Sequence, residues 1–211
     1  MKIGIIGSGI VAQTLAAGFI RHGHDVTLGT RDATKLADYA GKTPGVHVAS
    51  SAEAAAFGDV VVLAVKGSAA LQAARDAGAG LQGKPVLDTT NPIADAPPVD
   101  GVLSSFTGPN ESLMEQLQRE FPQARFVKAF NSVGSARMID PMFTGGPPTM
   151  FIAGNDADAK IVATRLLAEV GWDVADMGTA VAARAIEPLA MLWCIPGFRE
   201  NSWMHAFKLL R

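Results

Sequence analysis

Among 211 residues there is one cysteine, Cys194, which excludes an internal disulfide framework and suits a reducing compartment such as the cytoplasm. There is one tyrosine, Tyr39, with Thr43 four residues on, so the Tyr-x-x-x-Lys pair of short-chain dehydrogenases is missing. The four histidines, His22, His24, His47 and His205, are scattered, and neither they nor the cysteine make a metal-ligand set. Excess positive charge is lacking: a formal net charge of -2 gives no electrostatic case for nucleic acid or an anionic membrane surface. MKIGIIGSGI has one lysine and an apolar run broken almost at once by glycine, the pattern of a buried strand entering a turn rather than of an export signal. No uninterrupted apolar run reaches the length of a membrane span. The nearest, AVAARAIEPLAMLWCIPGF near the C-terminus, is broken by Arg184, Glu187, Pro188 and Pro196.

What the chain does have is apolar residues, 48% of the total, in an ordered rhythm. KIGIIG (2–7), DVTLG (25–29), VHVA (46–49), VVVLAV (60–65) and PVLDTT (85–90) read as strands. Between them IVAQTLAAGFIRHG, DATKLADYAG, SAEAAAFG and SAALQAARDAGAGLQG read as helices, several stopped by glycine. Continuous Val, Ile and Leu runs alternating with helices predict a parallel sheet covered on both faces. SLMEQLQREF and a sixth strand, ARFVKAFN (124–131), continue the pattern. PTMFIAGND (148–156) and GWDVADMG (171–178) then read as two more strands flanking the helix DADAKIVATRLLAEVG, N-capped by Asn155 or Asp156. One or two apolar helices are expected from about Thr179 to Arg211.

The first strand runs into Gly7-Ser8-Gly9-Ile10-Val11-Ala12, which fits G-x-G-x-x-G/A. The first glycine allows the sharp strand-to-helix turn, the second lets a pyrophosphate approach the backbone, and Ala12 is small enough for the helix to pack on the strand. The following helix aims free N–H groups and its positive end at the phosphates. Glycine turns are common, but strand, helix and second strand here stand at the expected spacing. After the second strand, TLGTRD offers Thr30 and Arg31 where an NAD-preferring chain places an acid for the adenine ribose. A guanidinium and a hydroxyl are partners for the 2′-phosphate of NADP(H), with Lys35 as a more distant charge and Asp32 turned away to cap the helix starting at Ala33.

KIGIIGSGIVAQTLAAGF, GHDVTLGTRD, DVVVLAV, VKAFNSVGS and MFIAGND together resemble the F420-dependent NADP oxidoreductase family, which includes the soluble reductase domains of the STEAP metalloreductases. The resemblance spans nearly the whole chain. It implies a Rossmann-type doubly wound parallel sheet with additional C-terminal strands and helices: an NADP-binding core over residues 1–135 and a short α/β extension over 136–211, in one compact unit. It further implies hydride transfer between NADP(H) and a flavin-like partner, coenzyme F420 or a flavin such as FMN or FAD. Carried onto this chain, the resemblance puts Ser8, Gly9, Ile10 and Val11 at the pyrophosphate and Thr30, Arg31 and Lys35 at the 2′-phosphate. It puts Ala64, Val65 and Lys66 between the cofactor's halves, and Asn91, Pro92, Ala129, Phe130 and Asn131 near the nicotinamide. All stand at C-terminal strand ends, where open α/β sheets bind ligands. Lys66 departs from the apolar or aromatic residue expected there, and serves either an anion or only the solvent. Asn91 and Asn131 fit equally as turn and backbone-bonding residues.

No positioned acid or base stands out, which fits transfer between two cofactor-like rings better than carbonyl reduction. A β-hydroxyacid dehydrogenase or pyrroline-carboxylate reductase would continue into a large helical domain, for which little room remains before Arg211. Reduction of a small imine or carbonyl substrate, and an NADPH-sensing module without turnover, remain the other readings. The apolar residues from Leu189 to Phe207 predict helices packed on the sheet edge, or else a homodimer contact or a wall of the acceptor pocket. RMIDPMFTGGPP (137–148) is either a cover for the site or an ordinary long turn.

Overall fold

The computed structural model describes residues 1–210. Six parallel strands, β1 (Lys2–Ile6), β2 (Asp25–Gly29), β3 (Val46–Ala49), β4 (Val60–Leu63), β5 (Pro85–Asp88) and β6 (Arg125–Lys128), form one sheet in the order β3-β2-β1-β4-β5-β6. This is a Rossmann-like α/β sheet whose order reverses between β1 and β4, and the crevice at that reversal is where such sheets take ligands. The Val, Ile and Leu side chains of β1, β4 and the centre of β5 are almost wholly buried, because helices cover both faces. The helices are α1 (Ile10–Arg21), α2 (Ala37–Lys42), α3 (Ser51–Phe57), α4 (Ala70–Ala77) and α5 (Leu113–Glu120). Capping boxes start α3 (Ser50 with Glu53) and α5 (Ser112 with Glu115), satisfying helix-end donors that would otherwise cost stability.

A second, two-stranded parallel sheet pairs β7 (Thr149–Ile152) with β8 (Asp173–Asp176), joined by α6 (Ala157–Glu169), which Asp156 caps. An antiparallel bridge from Lys128 to Ala153 links it to β6. Met150, Leu166 and Trp172 of this region share one apolar core with Ile3 and Val127 of the large sheet and Phe19 of α1. The short helix α7 (Ala183–Ile186) and α8 (Pro188–Glu200) complete the helices among the described residues.

The expected strands are all present: β2 and β3 have the expected bounds, and the others are one to five residues shorter. The C-terminal region differs more. Helix stops at Glu200, and residues 201–210 run irregularly, with Phe207 O accepting from Thr149 N–H (2.8 Å). Asn201 takes a left-handed conformation that ends α8, so His205 lies outside any helix. The prolines do not break the stretch as expected. Pro188 sits in the first turn of α8, where its missing N–H costs nothing, and the run Ala180–Glu200 is long and apolar enough to cross a membrane by length and composition. Here it is docked on the protein, with Glu187 in a buried ion cluster.

Candidate functional site

At the sheet's reversal the C-terminal strand ends open into a groove of about 780 Å³, a size suited to a ligand. It runs from Arg31 and Lys35 past Ser8, Gly9, Ile10 and Val11, then Ala64, Val65 and Lys66, to Thr89, Thr90, Asn91, Ile93, Ala94 and Asp95. A smaller adjoining pocket lies against Gly7, Thr30, Arg31, Gln72 and Asp76. Twelve of the sixteen residues expected at the cofactor thus line the two cavities. Pro92 is buried and faces a separate pocket with Ser112 and Met191, while Ala129 and Asn131 are buried outside the groove wall. Phe130 too is buried, at φ +58°.

The turn at β1 is built by two glycines with different demands. Gly7 has φ +142°, and a Cβ there would lie 2.1 Å from Ala64 O. The fold therefore requires it. Gly9 has φ -80°, and a Cβ would meet nothing within 4 Å. No packing contact requires that residue to be small, and its backbone is open to a ligand. Gln13 Nε2 donates to Ser8 O (2.9 Å) and holds the turn, while no side chain caps α1, so its first amides open on the groove.

At the far end Asp32 accepts from Thr34 N–H (3.0 Å) and Thr34 Oγ1 (2.6 Å), which turns its carboxylate away and holds it below the usual carboxylate range. Thr30 Oγ1 is spent locally, donating to Asp32 O and accepting from Asp32 N–H at 3.2 Å each. The expected free hydroxyl donor is thus internally engaged. Among the described residues Arg31, Lys35 and Lys66 form no ion pair. An open helix N-terminus, a glycine without steric need and unpaired cations together fit a polyanionic dinucleotide carrying an extra phosphate.

The two asparagines bond one another. Asn91 Nδ2 donates to Asn131 O (2.7 Å), and Asn131 Nδ2 donates to Ile186 O (2.9 Å) and Asn91 Oδ1 (3.2 Å). Of the open readings, Asn131 serves the backbone of another element, and Asn91 does so while facing the groove. Tyr39 donates its O–H to Gln13 O (2.7 Å) behind α1, and burial raises its pKa. His22 pairs with Asp140 and His24 with Glu169, away from the groove. The 137–148 segment packs Ile139 against Gly18 of α1 and lines no part of the groove. The apolar C-terminal residues divide: Trp193 is buried, Leu192, Phe198 and Met204 are exposed, and none lines the groove.

The sequence reading missed the wall from Ile93 to Asp95, part of a folded excursion in which Ile93 bridges Ser105. It also missed a buried charge cluster behind Thr90. Lys128 Nζ lies 2.6 Å from Asp88 Oδ2 and 2.8 Å from Glu187 Oε1, and donates to Thr90 O (2.9 Å). Asp88 Oδ1 accepts from Thr90 N–H and Oγ1, and Glu187 accepts from the Leu113 and Met114 amides that open α5. Burial by itself would push the Lys128 ammonium down. The Asp88 and Glu187 carboxylates overcome that and hold it above the usual lysine range.

The model of the family described as NADP oxidoreductase, coenzyme F420-dependent, matches residues 2–92. An Arthrobacter sp. FB24 structure, provisionally described as an F420-dependent NADP-reductase, is 35% identical, with both chains covered over 100% and a TM-score of 0.93. The metalloreductase STEAP3 of Rattus norvegicus is 29% identical over 202 residues, covering 92% of this chain; the chain spans 38% of that curated relative's length. The Streptomyces aurantiacus imine reductase, at 16% identity and TM-score 0.70 over 94% of this chain and 63% of the other, shares the fold.

Proposed function

The chain belongs to the coenzyme F420-dependent NADP oxidoreductase family, and on that premise we propose that it moves a hydride between NADPH and a flavin-like ring, coenzyme F420 or FMN/FAD. One observation carries the reading. The groove gathers unpaired cations and free amides at one end and Thr89, Thr90, Asn91, Ile93, Ala94 and Asp95 at the other, with no histidine, tyrosine or cysteine along it among the described residues. Such a surface can bind, orient and exclude water, which is most of what transfer between two ring systems needs.

In this reading Arg31 and Lys35 hold the 2′-phosphate and select NADPH over NADH. The amides behind Ser8, Gly9, Ile10 and Val11 hold the pyrophosphate, and Lys66 adds a cation beside it. Asn91, locked by Asn131, and Thr90 orient the nicotinamide half. Ile10, Val11 and Ile93 keep water from the reacting face. The bound cofactor supplies the hydride. Pro92, Ala129 and Asn131 act from behind the wall. We further propose that residues 136–211 serve as an extension packed on a 1–135 core, that Leu192, Phe198 and Met204 take part in a homodimer, and that the protein works in the cytoplasm. A monomer mass independent of concentration in sedimentation would overturn the dimer.

The test is an anaerobic assay with NADPH and coenzyme F420, following loss of the oxidised deazaflavin absorbance, with FMN in parallel. Rapid reduction of either, much faster from NADPH than from NADH, is expected. Tight NADPH binding without reduction of either would overturn the reading in favour of an NADPH sensor or a reductase of a small imine or carbonyl.

A further inference from the structure

The buried cluster behind the groove has a charge imbalance that packing does not require. Every oxygen of Asp88 and Glu187 faces an N–H or O–H donor or the Lys128 ammonium. One ammonium against two carboxylates leaves one net negative charge with all three side chains at most 2% exposed. The α5 amides offset part of it, and the nearby Arg184–Glu115 pair is neutral as a unit. A buried ion cluster is seldom more stable than apolar residues of the same volume, so stability alone is a poor reason to keep it. Its position offers another. Thr90, which lines the groove, is held by its N–H and hydroxyl to Asp88 and by its carbonyl to Lys128, so the charge sits one residue behind the wall.

We infer that Asp88, Lys128 and Glu187 are positioning residues that also set the redox bias of the bound cofactor: their net negative charge favours the cationic oxidised nicotinamide over the neutral reduced one, making bound NADPH a stronger hydride donor. The inference rests on the groove being the NADPH site. When the C4–H bond breaks, the hydride leaves with both electrons for the flavin-like acceptor and the nicotinamide ring gains one positive charge. A fixed negative charge behind Thr90 therefore stabilises one side of the couple.

The test measures NADP+ and NADPH affinities on the same preparations by fluorescence titration, with thermal unfolding to show that each variant is folded. Glu187→Gln and Asp88→Asn, each removing one negative charge, should raise the ratio Kd(NADP+)/Kd(NADPH) about three- to ten-fold. Lys128→Met, which leaves two negative charges, should lower it. Thr90→Val loosens the wall without changing charge and should move both affinities together. A ratio within two-fold of wild type in the folded acid variants, or one shifted the same way in Lys128→Met, would overturn the inference. Failure of wild type to bind either nucleotide would instead overturn the groove reading. Should Lys128→Met not fold, the two acid variants decide the matter.

Discussion

The groove and the cluster behind it lie on either side of Thr90 and treat charge in opposite ways. In the groove, Arg31, Lys35 and Lys66 have no carboxylate partner among the described residues, and α1 begins without a cap. In the cluster, Lys128 meets two carboxylates and a carbonyl, and each carboxylate takes up further donors. Water satisfies an unpaired cation in an open groove at little cost, so that surface can wait for an anion. Behind the wall the side chains are shut off from the solvent, and an unpaired charge would cost several kcal/mol. Unpaired cations thus line the open groove, and paired charges stand behind its wall.

The largest effect that would break this contrast is removal of the central cation. Lys128→Met strands two buried carboxylates and should cost about 3–5 kcal/mol in chemical denaturation. The glycine pair sharpens the contrast within a single turn. Gly7→Ala should destabilise by about 3 kcal/mol or more, from its positive φ and its clash with Ala64 O. Gly9→Ala should leave stability within about 1 kcal/mol and weaken NADPH binding, seen by calorimetry beside thermal unfolding. Equal losses of stability in both would remove the ligand argument from Gly9. Next in size, Arg31→Ala should raise the Kd for NADPH about 10- to 100-fold and leave NADH nearly unchanged, because only NADPH carries the 2′-phosphate. Equal loss for both would sink that role.

The smallest effect concerns pH. Arg184 holds the Glu115 carboxyl below its usual value against the opposing pull of burial, with Ser112 assisting. A carboxyl depressed in the folded state contributes stability that is present above its unfolded value near 4.5 and is lost as pH falls through the folded one. Arg184→Ala should therefore lower the melting temperature modestly at pH 7 and flatten its fall on acidification below about pH 4.5, so that variant and wild type converge at low pH.

Much of this was legible from local pattern. β2 and β3 fall where the apolar runs place them, and the cap by Asp32 and the glycine turn follow from neighbours a few residues apart. Thr30 and Arg31 were legible as residues at the groove because they directly follow a strand, although the Thr30 hydroxyl proved to be occupied within its own turn. The cluster was not legible. Asp88 fell inside the strand PVLDTT, Lys128 inside the strand ARFVKAFN, and Glu187 read as a break in an apolar run; they stand 40 and 59 positions apart in succession. No periodicity relates such residues. The Ile93–Asp95 wall was hidden because a stretch rich in turn residues shows where the chain bends and not which side chains face inward.

The sequence by itself determined the alternation of strand and helix, the glycine turn and the cationic end of the groove, since each rests on backbone propensity and side-chain chemistry over a few residues. Tertiary structure alone decided which buried charges meet, that the chain after Glu200 leaves the helix to lie against β7, and that the two asparagines hold each other. Those outcomes depend on desolvation, which acts only once distant segments have been brought together and water between them is gone.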